Sequence, residues 1–160
     1  MADTRRQQSH RETESSLRPL RRSLPMALLR AREAVMDRFR RMLRQNGLTE
    51  QQWRVIRVLA EYDALEVSQL ARHSVLLPPS LSRILKFLSD KGLVRRRAVD
   101  SDQRRSELSL SVAGRRLFQR VAPRSELMYQ DIEQTFGNER LEQLYTLLAD
   151  LETAVARGRN

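Results

Sequence analysis

VSQLARHSVLLPPSLSRILKFLSDKGLVRRRAVDSDQRRSELSLS, residues 67–111, decides how this chain folds. Its start predicts a short helix over Val67–Val75, with Val67, Leu70 and Ala71 facing inward. Leu76-Leu77 is the turn. A second helix begins at Pro78-Pro79-Ser80, where proline suits the first helical position, and stops at Gly92. Leu81, Ile84, Leu85 and Leu88 repeat at helical spacing and face a core. Ser82, Arg83, Lys86 and Ser89 are left on the other side. Leu93–Val99 and Ser106–Leu110 read as two strands around the tip Asp100-Ser101-Asp102-Gln103-Arg104. Between Arg83 and Arg105 stand eight basic side chains against three acids, a local charge of +5 on a small element. Leucines inside, hydroxyls and arginines outside, and a basic hairpin alongside predict a winged helix-turn-helix that binds duplex DNA.

Outward from this unit the chain is mainly helical. Leu24–Gln45 predicts a long helix with the apolar stripe Leu24, Leu28, Ala31, Val35, Phe39 and Met42, closed by Asn46-Gly47. Thr49-Glu50-Gln51-Gln52 fits a capping box for a helix running to about Glu61. That helix is apolar nearly all round (Trp53, Val55, Ile56, Val58, Leu59), so it is expected to be deeply buried. Ser111 caps a long helix carrying Val112, Phe118, Val121, Met128, Ile132 and Phe136, which Pro123 is expected to kink or break. Gly137-Asn138 separates it from a last helix with Leu141, Leu144, Leu148, Leu151 and Val155. The fold class is therefore mainly α with a small β-hairpin wing. Residues 1–23 are read as a disordered basic tail and 24–157 as one domain. Within it 48–110 form the DNA-binding lobe, while 24–45 and 111–157 carry apolar stripes that exceed what the lobe can cover. Those outer helices are expected to build a two-fold dimer, whose symmetry suits a palindromic operator.

Composition narrows the function. With 160 residues the chain is long enough for one domain with a real core. A net charge of +10 favours a polyanionic partner. The 30 basic residues are nearly all arginine, so their clustering carries more weight than their total. There is no cysteine, which excludes disulfides, thiolate metal sites and cysteine nucleophiles. One histidine outside the tail, His73, cannot make a zinc site, and Trp53 reads first as core. The chain also lacks a nucleophile elbow and a phosphate-binding loop, so an enzyme is not expected, and no cofactor. No apolar run is long enough to span a membrane and no secretory signal is visible, so a cytoplasmic protein with no membrane partner is expected. A basic architectural or RNA-binding protein, or a membrane-surface helix, is the competing class.

Three segments, LTEQQWRVIRVLAEYDALEVSQLARH, LSRILKFLSDKGLVRRR and DSDQRRSELSLSVAG, resemble the MarR family of dimeric winged-helix transcription regulators. The most specific piece is the wing, where Asp102, Arg104, Leu110, Ser111 and Gly114 follow the family pattern with Ser111 in place of the usual Thr. ALLRAREAVMDRFR, GLTEQQWRVIRVLAE and LLPPSLSRIL are similar to the branch that represses homoprotocatechuate (4-hydroxyphenylacetate) degradation operons, except at Pro78, where a basic residue is usual. The resemblance implies repression relieved by a small aromatic carboxylate. Regulation of efflux or stress genes with another effector is the alternative.

Candidate contacts follow. Ser80, Ser82, Arg83 and Lys86 lie on the first turns of the recognition helix, where arginine bonds guanine bidentately and serine serves bases or phosphates. Arg104 at the wing tip suits a narrow minor groove and Asp102 would brace it; of Arg95, Arg96 and Arg97 along the strand one or two would meet phosphate and the rest be solvated, and Arg105 is a further candidate DNA contact. Arg30 sits in an apolar stretch of the first helix, where a buried guanidinium needs an anion. That anion is either a structural Glu such as Glu33 or the effector carboxylate, with Trp53 as one wall of the effector site.

Overall fold

The computed structural model describes residues 18–99 and 102–158; of 98–99 and 102–105 only the backbone is described. Two compact units divide the chain, Met1–Arg38 and Phe39–Asn160. The first holds a 3₁₀ turn at Leu20–Arg22 and the start of helix α1 (Leu24–Gln45). The tail expectation for 1–17 thus lies outside the described residues, while 20–22 are ordered into a turn. Leu24, Leu28 and Val35 keep 40–46% of their surface exposed, so this end of the predicted stripe is left substantially open to solvent.

In the second unit, Phe39, Met42 and Leu43 at the end of α1 are buried. Gly47, at φ +67°, turns the chain into α2 (Glu50–Glu61). The capping box is present: the Gln52 backbone N–H donates to Thr49 Oγ1, and the Gln52 side chain accepts from the Thr49 N–H. Trp53, Val55, Ile56 and Leu59 of α2 are buried, as its apolar pattern requires. A short strand β1 (Ala64–Glu66) follows, then α3 (Val67–Ser74) and α4 (Pro78–Asp90). α3 ends on Val75 in the left-handed region (φ 50°, ψ 51°), a costly conformation for a β-branched residue. Ser74 Oγ donates to the Leu70 carbonyl at 2.5 Å, and Arg54 Nη1 of α2 donates to the Ser74 carbonyl at 3.1 Å. An arginine at the negative end of a helix both satisfies an orphan carbonyl and suits the helix dipole. The turn between α3 and α4 is thus pinned from α2. Leu81, Ile84 and Leu88 bury the inner face of α4.

The wing is a three-stranded antiparallel sheet in the order β1-β3-β2, with β2 at Val94–Val99 and β3 at Asp102–Leu110. Two expectations are corrected here. The sheet has a third strand, β1, whose three residues are too few to show alternation and of which only Leu65 is buried. β3 begins at Asp102, not Ser106, because the backbone ladder continues to the pair Val99↔Asp102 past an irregularity at Ala98/Val99. Turn-forming side chains do not end a strand whose backbone can still pair.

α5 (Val112–Phe136) starts at the base of the wing. Ser111 Oγ accepts from the Gly114 N–H at 3.0 Å and donates to the Gly92 carbonyl at 2.6 Å. Gly114 has no room for a side chain: a Cβ there would stand 2.1 Å from the Leu93 carbonyl oxygen. Pro123 does not end the helix, which corrects the break, one of the two outcomes expected, and leaves the kink. Leu117 and Val121 before it and Ser125 after it are buried, so packing on both sides outweighs the roughly 3 kcal/mol that an internal proline costs. Gly137 at φ +94° separates α5 from α6 (Asn138–Arg157). Only Leu141 of α6 is buried.

Candidate functional site

Two groups of side chains carry chemistry. The first is the exposed face of α4 and the wing. Pro78 and Pro79 occupy the first turn of α4, so that turn presents fewer backbone donors and its side chains dominate its surface. Ser80 is half-buried, while Ser82, Arg83 and Lys86 are exposed on the side away from Leu81, Ile84 and Leu88. Lys86 Nζ bonds Asp90 Oδ2 at 2.8 Å, and that hydrogen bond pushes the ammonium pKa above its ordinary value. Val75 and Leu77 in the preceding turn are 80% and 75% exposed, an apolar corner beside the basic face. On β2, Arg95, Arg96 and Arg97 are all exposed. Arg96 Nε donates to Ser106 Oγ across the hairpin at 2.8 Å, which holds its head group against the strand. The side chains of Asp102, Arg104 and Arg105 lie outside the described residues; their backbone belongs to β3.

The second group lies where α2 meets α5. Trp53 is 5% exposed and stacks on Phe118, with centroids 5.7 Å apart and planes at 22°. One turn along α2, Arg57 Nη1 donates to Tyr129 Oη at 2.8 Å, its guanidinium 5.5 Å from the Tyr129 ring centroid. Phe39 packs against the same ring at 5.0 Å. Tyr145 is close enough that burial first, and then Tyr129, pushes its phenol pKa above the ordinary value. Among the described residues, two buried side-chain atoms have no hydrogen-bond partner: Trp53 Nε1 and Ser125 Oγ. Such an atom costs about 1–3 kcal/mol of desolvation. A seam with an exposed guanidinium, two flat rings and two unsatisfied polar atoms suits an aromatic carboxylate.

The sequence reading placed Trp53 here but missed Arg57, Tyr129 and Ser125. Arg57 stands four residues after Trp53 and so shares its helix face, a signal that was legible. Its partner Tyr129 is 72 residues away, which no local pattern reveals. Arg30 is exposed on α1, so the argument that burial forces an anion onto it does not apply in the single chain. Glu33, its alternative partner, pairs with Arg32 at 2.7 Å. His73 is exposed, its ring 4.4 Å from that of Tyr62.

A model of the MarR family matches residues 48–106. The homoprotocatechuate degradative operon repressor of Escherichia coli is 41% identical over 128 residues, covering 80% of this chain and 86% of that protein. The crystal structure of NadR in complex with 4-hydroxyphenylacetate superposes with a TM-score of 0.72 at 41% identity, over 81% of this chain and 92% of that one. The repressor CouR bound to a 23-mer DNA duplex superposes with a TM-score of 0.75 at 25% identity, over 83% and 94%.

Proposed function

This chain belongs to the MarR family, and from that premise we propose that it represses an aromatic-acid catabolic operon and leaves its operator when a small phenolic acid binds. It is a DNA-binding transcription regulator and not an enzyme. The reading assigns Ser80, Ser82, Arg83 and Lys86 of α4 to the major groove, with Arg83 on a base edge and Lys86 on phosphate. Arg96, Arg104 and Arg105 of the wing reach phosphate and the minor groove, and Asp102 braces them. The exposed Ser82 and cations of α4 support this, together with the arginines of β2 beside them.

The observation that carries the effector assignment is the seam between α2 and α5. Arg57 and Tyr129 form a donor pair at its exposed end that fits a carboxylate. Trp53 and Phe118 offer ring faces for an aryl group. The assignment moves the carboxylate from Arg30 to Arg57 and keeps Trp53. A ligand there releases DNA only by binding better to a conformation that holds the two recognition helices wrongly spaced.

The test is an anisotropy titration with the chain's own upstream DNA, competed by random duplex. 3,4-Dihydroxyphenylacetate or 4-hydroxyphenylacetate is expected to release the operator, and their neutral amides are not. Arg57→Gln should keep operator affinity within about twofold and lose the response; Arg30→Ala should keep both. A response unchanged in Arg57→Gln would overturn the carboxylate assignment. Equal binding to random DNA would return the chain to the architectural class.

A further inference from the structure

Ser125 is 3% exposed and its hydroxyl has no partner among the described residues. Other hydroxyls on these helices satisfy themselves on the carbonyl four residues back: Ser74 on Leu70, Thr135 on Asp131, Thr146 on Glu142. That local bond is the ordinary fate of a helical serine or threonine. Ser125 forgoes it while buried, so its environment supplies no substitute.

Its position is fixed by two contacts. Phe118 of α5 touches Trp53, and Tyr129 of α5 touches Arg57. At about 100° per residue, Phe118 points ~20° from both Ser125 and Tyr129 around α5, and Ser125 and Tyr129 stand ~40° apart. Trp53 and Arg57 lie ~40° apart on α2. Ser125 therefore stands on the shared face between the two contacts, about 6 Å along the helix axis from Tyr129. The second unpartnered atom, Trp53 Nε1, belongs to the same seam. The seam thus has a charged end at Arg57, aromatic walls, and two buried polar atoms with nothing to bond. One of them donates only; the other, a hydroxyl, both donates and accepts.

Resting on the phenolic-acid reading above, we propose that Ser125 is a specificity residue that reads a second ring hydroxyl, so that the effector is a dihydroxylated aryl acid rather than a monohydroxylated one. The carboxylate sits at Arg57 and Tyr129. One ring oxygen accepts from Trp53 Nε1, and its neighbour exchanges a hydrogen bond with Ser125 Oγ. A monohydroxy acid leaves one of the two atoms unsatisfied, so it binds more weakly.

Calorimetry on the full chain tests this with 4-hydroxyphenylacetate and 3,4-dihydroxyphenylacetate as probes. The wild type should prefer the dihydroxy acid by roughly three- to tenfold, the worth of one neutral hydrogen bond. Ser125→Ala deletes an atom that has no protein partner, so the fold is expected to survive it. That variant should still bind 4-hydroxyphenylacetate and should lose the preference; Ser125→Thr, which restores a hydroxyl, should regain it. A preference unchanged in Ser125→Ala overturns the proposal. So does a shift in melting temperature with no change in the ratio, which would assign the hydroxyl to a structural water. A wild type that binds neither acid instead overturns the phenolic-acid reading itself, whatever Ser125 does.

Discussion

Asp90 holds the Lys86 ammonium on the face of α4 that the DNA assignment turns toward phosphate. Both side chains are exposed, so the pair contributes little to stability. Its effect is to keep an anion beside a cation that DNA would otherwise claim. The raised lysine pKa means that Lys86 stays protonated throughout the neutral range and loses its charge only above the ordinary lysine value. Asp90→Asn should therefore tighten operator binding severalfold at low salt. It should steepen the slope of log affinity against log salt by up to ~1, as one more counterion is released. A salt titration by anisotropy reads both. An unchanged slope would mean that Lys86 does not reach phosphate. At the same scale, the wing-tip contacts of Arg104 remain a proposal from sequence, and Arg104→Ala should cost about 1–3 kcal/mol of operator binding.

The junction of wing and α5 depends on two small residues. Ser111 caps α5 and also bonds the Gly92 carbonyl, while Gly114 lets the helix lie against the Leu93 backbone. Ser111→Ala should cost about 1 kcal/mol as a lost cap. Gly114→Ala must displace the Leu93 carbonyl and should cost about 1–3 kcal/mol as overpacking. Urea denaturation measures both, and a Gly114→Ala protein as stable as wild type would show that the junction yields freely. These elements also show how far the sequence could be read. The helices were legible because leucines at 3.6-residue spacing, a Thr-Gln capping box and glycines at the ends all agree on the same boundaries. β1 was not, because its three residues pair with β3 residues that lie 41–45 positions downstream. The continuity of α5 through Pro123 was not, because tertiary burial of Val121 and Ser125 overrides a local penalty. The aromatic seam was half legible: Trp53 is conspicuous, but its neighbours arrive from α5.

At the scale of the whole molecule, α6 leaves Leu144, Leu147, Leu148 and Val155 substantially exposed, and the start of α1 does the same with Leu24, Leu28 and Val35. Apolar stripes of this length are expected to be covered by a second copy. Sedimentation should give about twice 18.7 kDa, and Leu148→Asp should shift the chain toward a monomer that binds its palindrome weakly. A concentration-independent monomer would end the two-half-site model, in which recognition helices engage half-sites about 10 bp apart. Arg54 gives this assembly its last consequence. It neighbours Trp53 on α2, yet its guanidinium grips the end of α3 at the Ser74 carbonyl. One helix therefore carries both the wall of the proposed effector site and the contact that pins the turn before α4. Coupling between two ligands is mutual, so under the proposed function the operator expels the phenolic acid as strongly as the acid expels the operator. Promoter DNA is then itself an antagonist of the inducer, and Arg54→Ala should make each ligand indifferent to the other's presence while both still bind.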